Sequence, residues 1–192
     1  AADMGWQLTE GIALGSAHSF TAQTDTMTLR VAFLINVRAE MADLMVGFRA
    51  LGAYAVGDDS AEIAAAYDDK VVVGIDGNAG VIKQMTSVAT ADVTTACTHA
   101  AAADGDILAL QVEVDASGDT TVSVGTATPA GGTTAQTQAA VAAAIADLTA
   151  DTLCNAASVT LTAGEYVPTV MFAKTNNGTV STNVLANYYC GS

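Results

Sequence analysis

The side chains in this sequence best suited to holding a ligand are Asp58, Asp59, Tyr67, Asp68, Asn176 and Asn177. Three carboxylates, two amides and one aromatic ring on loops between apolar runs are the groups that grip a sugar or a calcium ion. Their spacing lacks the D-x-[DN]-x-[DN]-G run that wraps a calcium ion, so no metal site is expected. The plainer reading of the aspartates around residues 58–69 is a solvated acidic loop.

No catalytic residue and no cofactor are expected. His18 and His99 are far apart, and neither lies near a nucleophile pattern. G-x-S-x-G, the phosphate-binding P-loop, H-E-x-x-H and the dinucleotide fingerprint are all missing. Carboxylates are so numerous that a glycosidase-type pair carries no information by itself. Cys97, Cys154 and Cys190 are an odd number, widely spaced, with no C-x-x-C pair and no zinc spacing. Three reduced, mostly buried thiols are the simpler expectation; one disulfide with one free thiol is the other, and the sequence does not name the pair.

The charge balance limits the partners. Six Lys and Arg stand against 20 Asp and Glu, a net charge of −14. Such a surface repels phosphate, which argues against nucleic acid and anionic membranes. No apolar run reaches the length of a membrane span. The first residues, AADMGWQLTEG, have neither a basic nor an apolar region, so no signal peptide is expected.

The elements that must position these residues are strands. At 192 residues, one domain is expected. Leu29, Val31, Phe33, Ile35 and Val37 fall on every second residue, as do Leu44, Val46 and Phe48. That is the period of strands with one buried face, and a short polar stretch over 38–43 connects them as an antiparallel pair on one core. A short helix is expected over 61–67 after Asp58-Asp59-Ser60. Residues 70–75 and 81–88 form a hairpin around Asp76-Gly77-Asn78, and 107–115 and 120–125 form a second. Residues 90–103 read as a connection rich in threonine and alanine. An alanine-rich helix is expected over 135–150, with Val141, Ile145 and Leu148 at helical spacing and Thr133, Thr134 or Thr137 as its cap, closing an end of the fold. Further strands are expected at 158–162, 165–174 and 179–189, the last two joined as a hairpin by Asn176-Asn177-Gly178; Pro168 suggests an edge or a bulge in the second of the three. Phe33, Ile35, Val46, Phe48, Leu110, Val112 and Phe172 are the expected core.

Together these give an all-β antiparallel sandwich of jelly-roll, concanavalin-like kind with one or two inserted short helices. Residues 1–25 read as an N-terminal arm and 26–192 as the sandwich. Trp6, Leu8, Ile12 and Leu14 are the arm's sizeable apolar side chains and its candidate interface, docking on its own domain or on a neighbour.

The order of FLINV, LMVGFRA, VVVGIDGNAGVIK, DGDILALQVEVDASGDTTVSVG and VPTVMFAKTNNG resembles a group of tailed-phage virion proteins with a concanavalin-like (laminin-G-like) sandwich. The matching motifs are Val46 to Arg49, Asp76-Gly77, Leu110 to Gly118 and Pro168 to Phe172. The likeness covers roughly Met27 to Tyr189; the helix from Ala135 and the chain around Cys97 have no counterpart. The resemblance implies a non-enzymatic capsid decoration (cement) protein, made in the host cytoplasm and bound to the outer surface of the virion head. Its partners would be the phage major capsid protein and copies of itself, most plausibly as a trimer. The same sandwich hosts lectins, so a carbohydrate-binding module of a tail fibre or adhesin is the alternative.

Overall fold

The structure is a computed structural model that describes residues 4–9, 19–36, 38, 41–52, 67–76, 81–88, 92–100, 102–157, 159–174 and 184–192, with the backbone alone at 4–9, 41–43, 76, 172–174 and 184. Among these residues the strands are β1 (Met4–Thr9), β2 (Phe20–Ala22), β3 (Met27–Ile35), β4 (Met41–Ala50), β5 (Lys70–Asp76), β6 (Val81–Ser87), β7 (Val93–Ala96), β8 (Asp106–Val114), β9 (Thr120–Ala127), β10 (Thr149–Ala150), β11 (Gly164–Lys174) and β12 (Val184–Gly191), with a single helix, α1 (Thr134–Ala146). One sheet has seven strands in the order β1-β11-β4-β5-β6-β7, with β2 also paired to β11; the other has five in the order β10-β9-β8-β3-β12. All strand pairings are antiparallel. The expected antiparallel sandwich is therefore present.

The alternation that marks β3 and β4 in the sequence does place one face of each in a common core. Leu29, Val31, Phe33 and Ile35 meet Leu44, Val46 and Phe48, together with Leu108, Leu110 and Val112 of β8. The two strands are not a hydrogen-bonded pair, however. β3 lies between β8 and β12 and β4 between β11 and β5, so the residues between them carry the chain from one sheet to the other. Periodicity reports which face is buried, and a strand facing its neighbour across a core has the same period as one paired beside it.

β4 and β5 approach closely at two glycines. A Cβ on Gly47 would lie 2.0 Å from the Val71 carbonyl oxygen, and one on Gly74 would lie 1.5 Å from that of Leu44. Any side chain at either position would push the strands apart.

Pro168 is not on an edge strand, since β11 is flanked by β4 on one side and by β1 and β2 on the other. The Glu165 carbonyl accepts from the Leu51 N–H on the β4 side, so the backbone groups of residue 168 point the other way. There Tyr166 is the last residue opposite β2 and Thr169 the first opposite β1. The missing proline N–H thus falls in the break between those two strands.

The outer face of the smaller sheet is closed by α1. Ala140 and Ala144 are buried against Ala32, Ile107 and Ala109, with Val141, Ile145 and Leu148 alongside. The expected helix is thus a lid on a sheet face rather than a plug at an end, and it stops at Ala146 because residues 149–150 return as β10 on β9. Thr133 is its cap: the Thr133 Oγ1 accepts from the Gln136 N–H, and the Gln136 side chain accepts from the Thr133 N–H.

Residues 93–96 form β7 on the edge beside β6, where only a connection was expected. Residues 159–162 make the isolated bridge Asp119↔Thr160 instead of a strand, and Ser158 lies outside the described residues. β11 and β12 are not the expected hairpin, since they lie in different sheets; the residues of the expected turn, 176–178, lie outside the described residues. The expected helix over 61–67 lies outside the described residues except for Tyr67. Of the expected core, Phe33, Ile35, Val46, Phe48, Leu110 and Val112 are buried, while the Phe172 side chain lies outside the described residues.

Candidate functional site

The outer face of the larger sheet carries the least ordinary chemistry. Arg49 and Lys70 stand opposite each other on β4 and β5, and both are fully buried. Buried cations need partners, and here Tyr67 organises them. The Arg49 guanidinium carbon lies 4.2 Å from the centre of the Tyr67 ring. Its Nη1 donates to the carbonyls of Ala50 and Gly52 at 3.0 and 3.4 Å. Lys70 donates to the Tyr67 carbonyl at 2.8 Å and forms an ion pair with Asp92. Next to this cluster Met45, Val72, Met85 and Met171 are buried together with Tyr67 in a second apolar group. Around Arg49 and Lys70 this face is enclosed, with both cations engaged by the chain itself.

Of the expected ligand-loop residues the structure describes Tyr67 and Asp68. Tyr67 is buried beneath Arg49 instead of offering an open ring, whereas its neighbour Asp68 is exposed. Asp58, Asp59, Asn176 and Asn177 lie outside the described residues. Of the candidate interface, Ile12 and Leu14 also lie outside them. Trp6 and Leu8 sit on β1, opposite Phe172 and Val170 of β11. Over Met4–Thr9 the expected arm is thus an edge strand of the sandwich, held by backbone pairing, which patterning of side chains does not reveal.

His99 and Asp151 are neighbours but not a catalytic dyad. It is the backbone N–H of His99 that donates to Asp151 Oδ2, at 2.9 Å, while the ring Nδ1 lies 2.8 Å from the Ala100 carbonyl oxygen. Asp151 Oδ1 accepts from the N–H groups of Thr98, Leu153 and Cys154 at 2.9–3.0 Å. Burial pushes this carboxyl up, but the backbone N–H bonds more than reverse that and hold it below its ordinary range.

Beside Asp151 the chain carries a disulfide between Cys97 and Cys154, while Cys190, half-buried, is not part of the bridge and has its sulfur 3.8 Å from Met27 Sδ. The expectation of three reduced thiols is corrected: the sheet order brings the residue after β7 against the turn after β10, although the two cysteines are 57 residues apart in sequence. The local signal for the turn is Asp151 itself, three residues before Cys154, where an aspartate caps a tight turn.

An open hollow of about 290 Å³ is lined by Thr26, Thr28, Glu113, Asp115, Asp119 and Thr121. Its carboxylates are partly committed to the adjoining turn. Asp115 Oδ1 accepts from the N–H groups of Ser117 and Asp119, and the Thr160 hydroxyl donates to Asp119. The large exposed apolar side chains lie mainly on edges and turns, with Val93 on β7 and Leu185 and Tyr189 on β12. No helix among the described residues is long and apolar enough to cross a membrane.

No known family model and no curated protein sequence matches the chain. Solved structures do. The carbohydrate recognition domain of Emp47p superposes with a TM-score of 0.53 at 11% identity, covering 90% of this chain and 71% of that one. The globular domain of T. cruzi calreticulin gives 0.51 at 6% identity, covering 100% and 70%. A family 7 alginate lyase with bound substrate gives 0.43 at 11% identity over 98% and 77%. At these identities the first two likenesses show the fold alone: a concanavalin-like jelly-roll sandwich.

Proposed function

We propose that this chain is a non-enzymatic decoration (cement) protein of a tailed-phage head, bound to the major capsid protein on the outer surface of the virion as a homo-oligomer, a trimer. The observation that carries the reading is how the apolar surface is distributed. Part of each outer face is covered, on the smaller sheet by α1 over Ala32, Ile107 and Ala109 and on the larger by the cluster around Tyr67, while Leu185, Tyr189 and Val93 remain exposed on edge strands. A sandwich with apolar side chains exposed on its edge strands suits docking side-on to another protein. The open polar hollow beside β8 and β9 is less suited to a small molecule, because its Asp115 and Asp119 carboxylates already accept from the adjoining turn and from Thr160. The strongly acidic surface suits attachment to a protein lattice rather than to the nucleic acid within. The resemblance of the order of strand motifs to tailed-phage virion proteins supports a phage head as that lattice.

The second reading, a carbohydrate-binding module of a tail fibre or adhesin, draws on the likeness to the Emp47p carbohydrate recognition domain. The two separate cleanly. Mass spectrometry of purified particles should find the chain in a fixed ratio to the major capsid protein, and particles stripped of it should take it up again. A glycan array with and without Ca²⁺ should be blank. Specific glycan binding, with no uptake by stripped heads, would replace the first reading by the second.

A further inference from the structure

We propose that Asp151 is a positioning residue that holds Cys97 and Cys154 in register before they are joined, so that their disulfide is a late redox lock closed in the already folded protein. The proposal is independent of what the protein docks to.

The bridge and the carboxylate join the same two segments. One runs from Cys97 to His99 just after β7; the other runs from Asp151 to Asn155 just after β10. Asp151 accepts from the N–H groups of Thr98 and His99 in the first and of Leu153 and Cys154 in the second. Each N–H belongs to a cysteine or to a residue within two positions of one. Thr98 Oγ1 adds two contacts across the same seam, to Thr152 Oγ1 at 2.9 Å and from the Leu153 N–H at 3.2 Å. Asn155 ties the second segment to β9: its Oδ1 accepts from the Val122 N–H, and its Nδ2 donates to the Val122 carbonyl. All of these bonds are formed by groups other than the sulfurs. A charge-assisted acceptor shared among four backbone donors is a strong clamp by itself.

The reduced chain therefore already holds its two thiols face to face. The oxidant required is a low-molecular-weight disulfide. Cys97, at 9% exposure against 2% for Cys154, is the sulfur it reaches first. The Cys97 thiolate attacks one sulfur of the oxidant, forming a mixed disulfide and releasing one small thiolate, which takes up the proton Cys97 lost. The Cys154 thiolate then attacks the Cys97 sulfur and displaces the second small thiolate, which takes up the other proton. Two protein thiols become one disulfide, and the oxidant is reduced to two thiols. The lock pins β7, an edge strand of the larger sheet, to the turn that follows β10 at the edge of the smaller one.

The test starts from the full chain reduced with a phosphine, freed of it, and equilibrated in mixtures of reduced and oxidised glutathione. The reduced chain should keep its near-ultraviolet circular dichroism, and its Thr98 and His99 amides should remain protected from hydrogen exchange. The bridge should then close without a refolding phase. Asp151→Asn should lower the effective concentration of the two thiols, read against glutathione, by about tenfold or more, because its NH₂ replaces one acceptor oxygen and meets an N–H. A purely structural role would lower stability alike in the bridged and reduced forms and leave that effective concentration unchanged, which would overturn the proposal. So would a reduced wild-type chain that is unfolded or that exchanges freely at Thr98 and His99. This second measurement needs no variant and stands even where Asp151→Asn does not fold.

Discussion

Arg49 places its guanidinium 4.2 Å from the centre of the Tyr67 ring, with both side chains buried on the outer face of the larger sheet. A cation over an aromatic face gains most where water is excluded, up to about 2 kcal/mol. The ring also fixes the backbone carbonyl to which Lys70 donates, so one aromatic serves both buried cations. A double-mutant cycle of Arg49→Met and Tyr67→Leu, followed by urea unfolding, should give a coupling energy of about 1–2 kcal/mol. Strict additivity of the two substitutions would mean that the ring acts only as a filler.

Phe48 reports the register of the central strand. It is fully buried, with the Phe20 ring edge-on at 5.0 Å. Phe48→Ala should cost about 3–5 kcal/mol, visible as a lower denaturant midpoint at constant slope. A one-residue slip of β4 would turn this side chain to the other face, and the midpoint would hardly move.

These two residues mark what the sequence makes legible. Phe48 follows from alternation, as do both hairpins and the buried face of β3, because period-two burial is written directly in the order of apolar residues. Tyr67 and Arg49 do not follow. Their environment comes from the enclosed part of a sheet face, so an aromatic and a cation that read as surface groups are buried. Sheet membership is equally hidden, since β3 and β4 share a core without sharing a ladder. β1 and β7 are edge strands held by backbone hydrogen bonds, and the sequence VTTA of β7 has no apolar stripe to betray it. The Cys97–Cys154 pairing depends on sheet order and was invisible for that reason. The helix was legible through its alanines and Thr133 cap, but its seat on Ala32, Ile107 and Ala109 required the small residues of β3 and β8 to be seen side by side.

Two buried groups set opposite pH limits. Burial raises the Tyr166 phenol above its ordinary value of 10.0; the charge of Asp69 adds to this and the Thr162 hydrogen bond opposes it. A raised pKa in the folded state means that this contribution is complete below about pH 10 and is lost as pH rises through the folded value. Asp151 is the reverse: with its pKa held low, its contribution is present above the ordinary carboxylate range and is lost as pH falls through the folded value. Stability measured against pH should therefore fall at both ends. Tyr166→Phe should flatten the alkaline limb alone, at a cost of about 1 kcal/mol near neutrality for the lost Thr162 bond. Asp151→Asn should flatten the acid limb alone. An acid limb unchanged in Asp151→Asn would assign that loss to other carboxylates.

The proposed docking to a capsid lattice can be tested at an edge strand. β12 closes one side of the smaller sheet, and its sequence VLANYYCG contains no Asp, Glu, Lys or Arg in a chain of net charge −14. Exposed edges are usually guarded by charge, because an unpaired row of N–H and C=O groups invites another strand. Here Leu185 and Tyr189 are exposed on that row instead, with the Arg30 guanidinium 5.1 Å from the Tyr189 ring centre. β3 packs against β4 and β8 against β4 and β5, so β12 lies on the same side of the sandwich as β1, opposite the disulfide. That side presents two uncharged edges together, which suits a contact made on assembly. Leu185→Lys adds the missing guard to a half-exposed position, so the fold should lose no more than about 0.5 kcal/mol. A lysine buried in a protein contact without a partner should weaken attachment at least tenfold. Sedimentation of the variant with stripped particles, beside urea unfolding of the free protein, reads both quantities. Undiminished attachment would move the docking surface away from β12, and a large loss of stability would mean that Leu185 is part of the fold rather than of a contact.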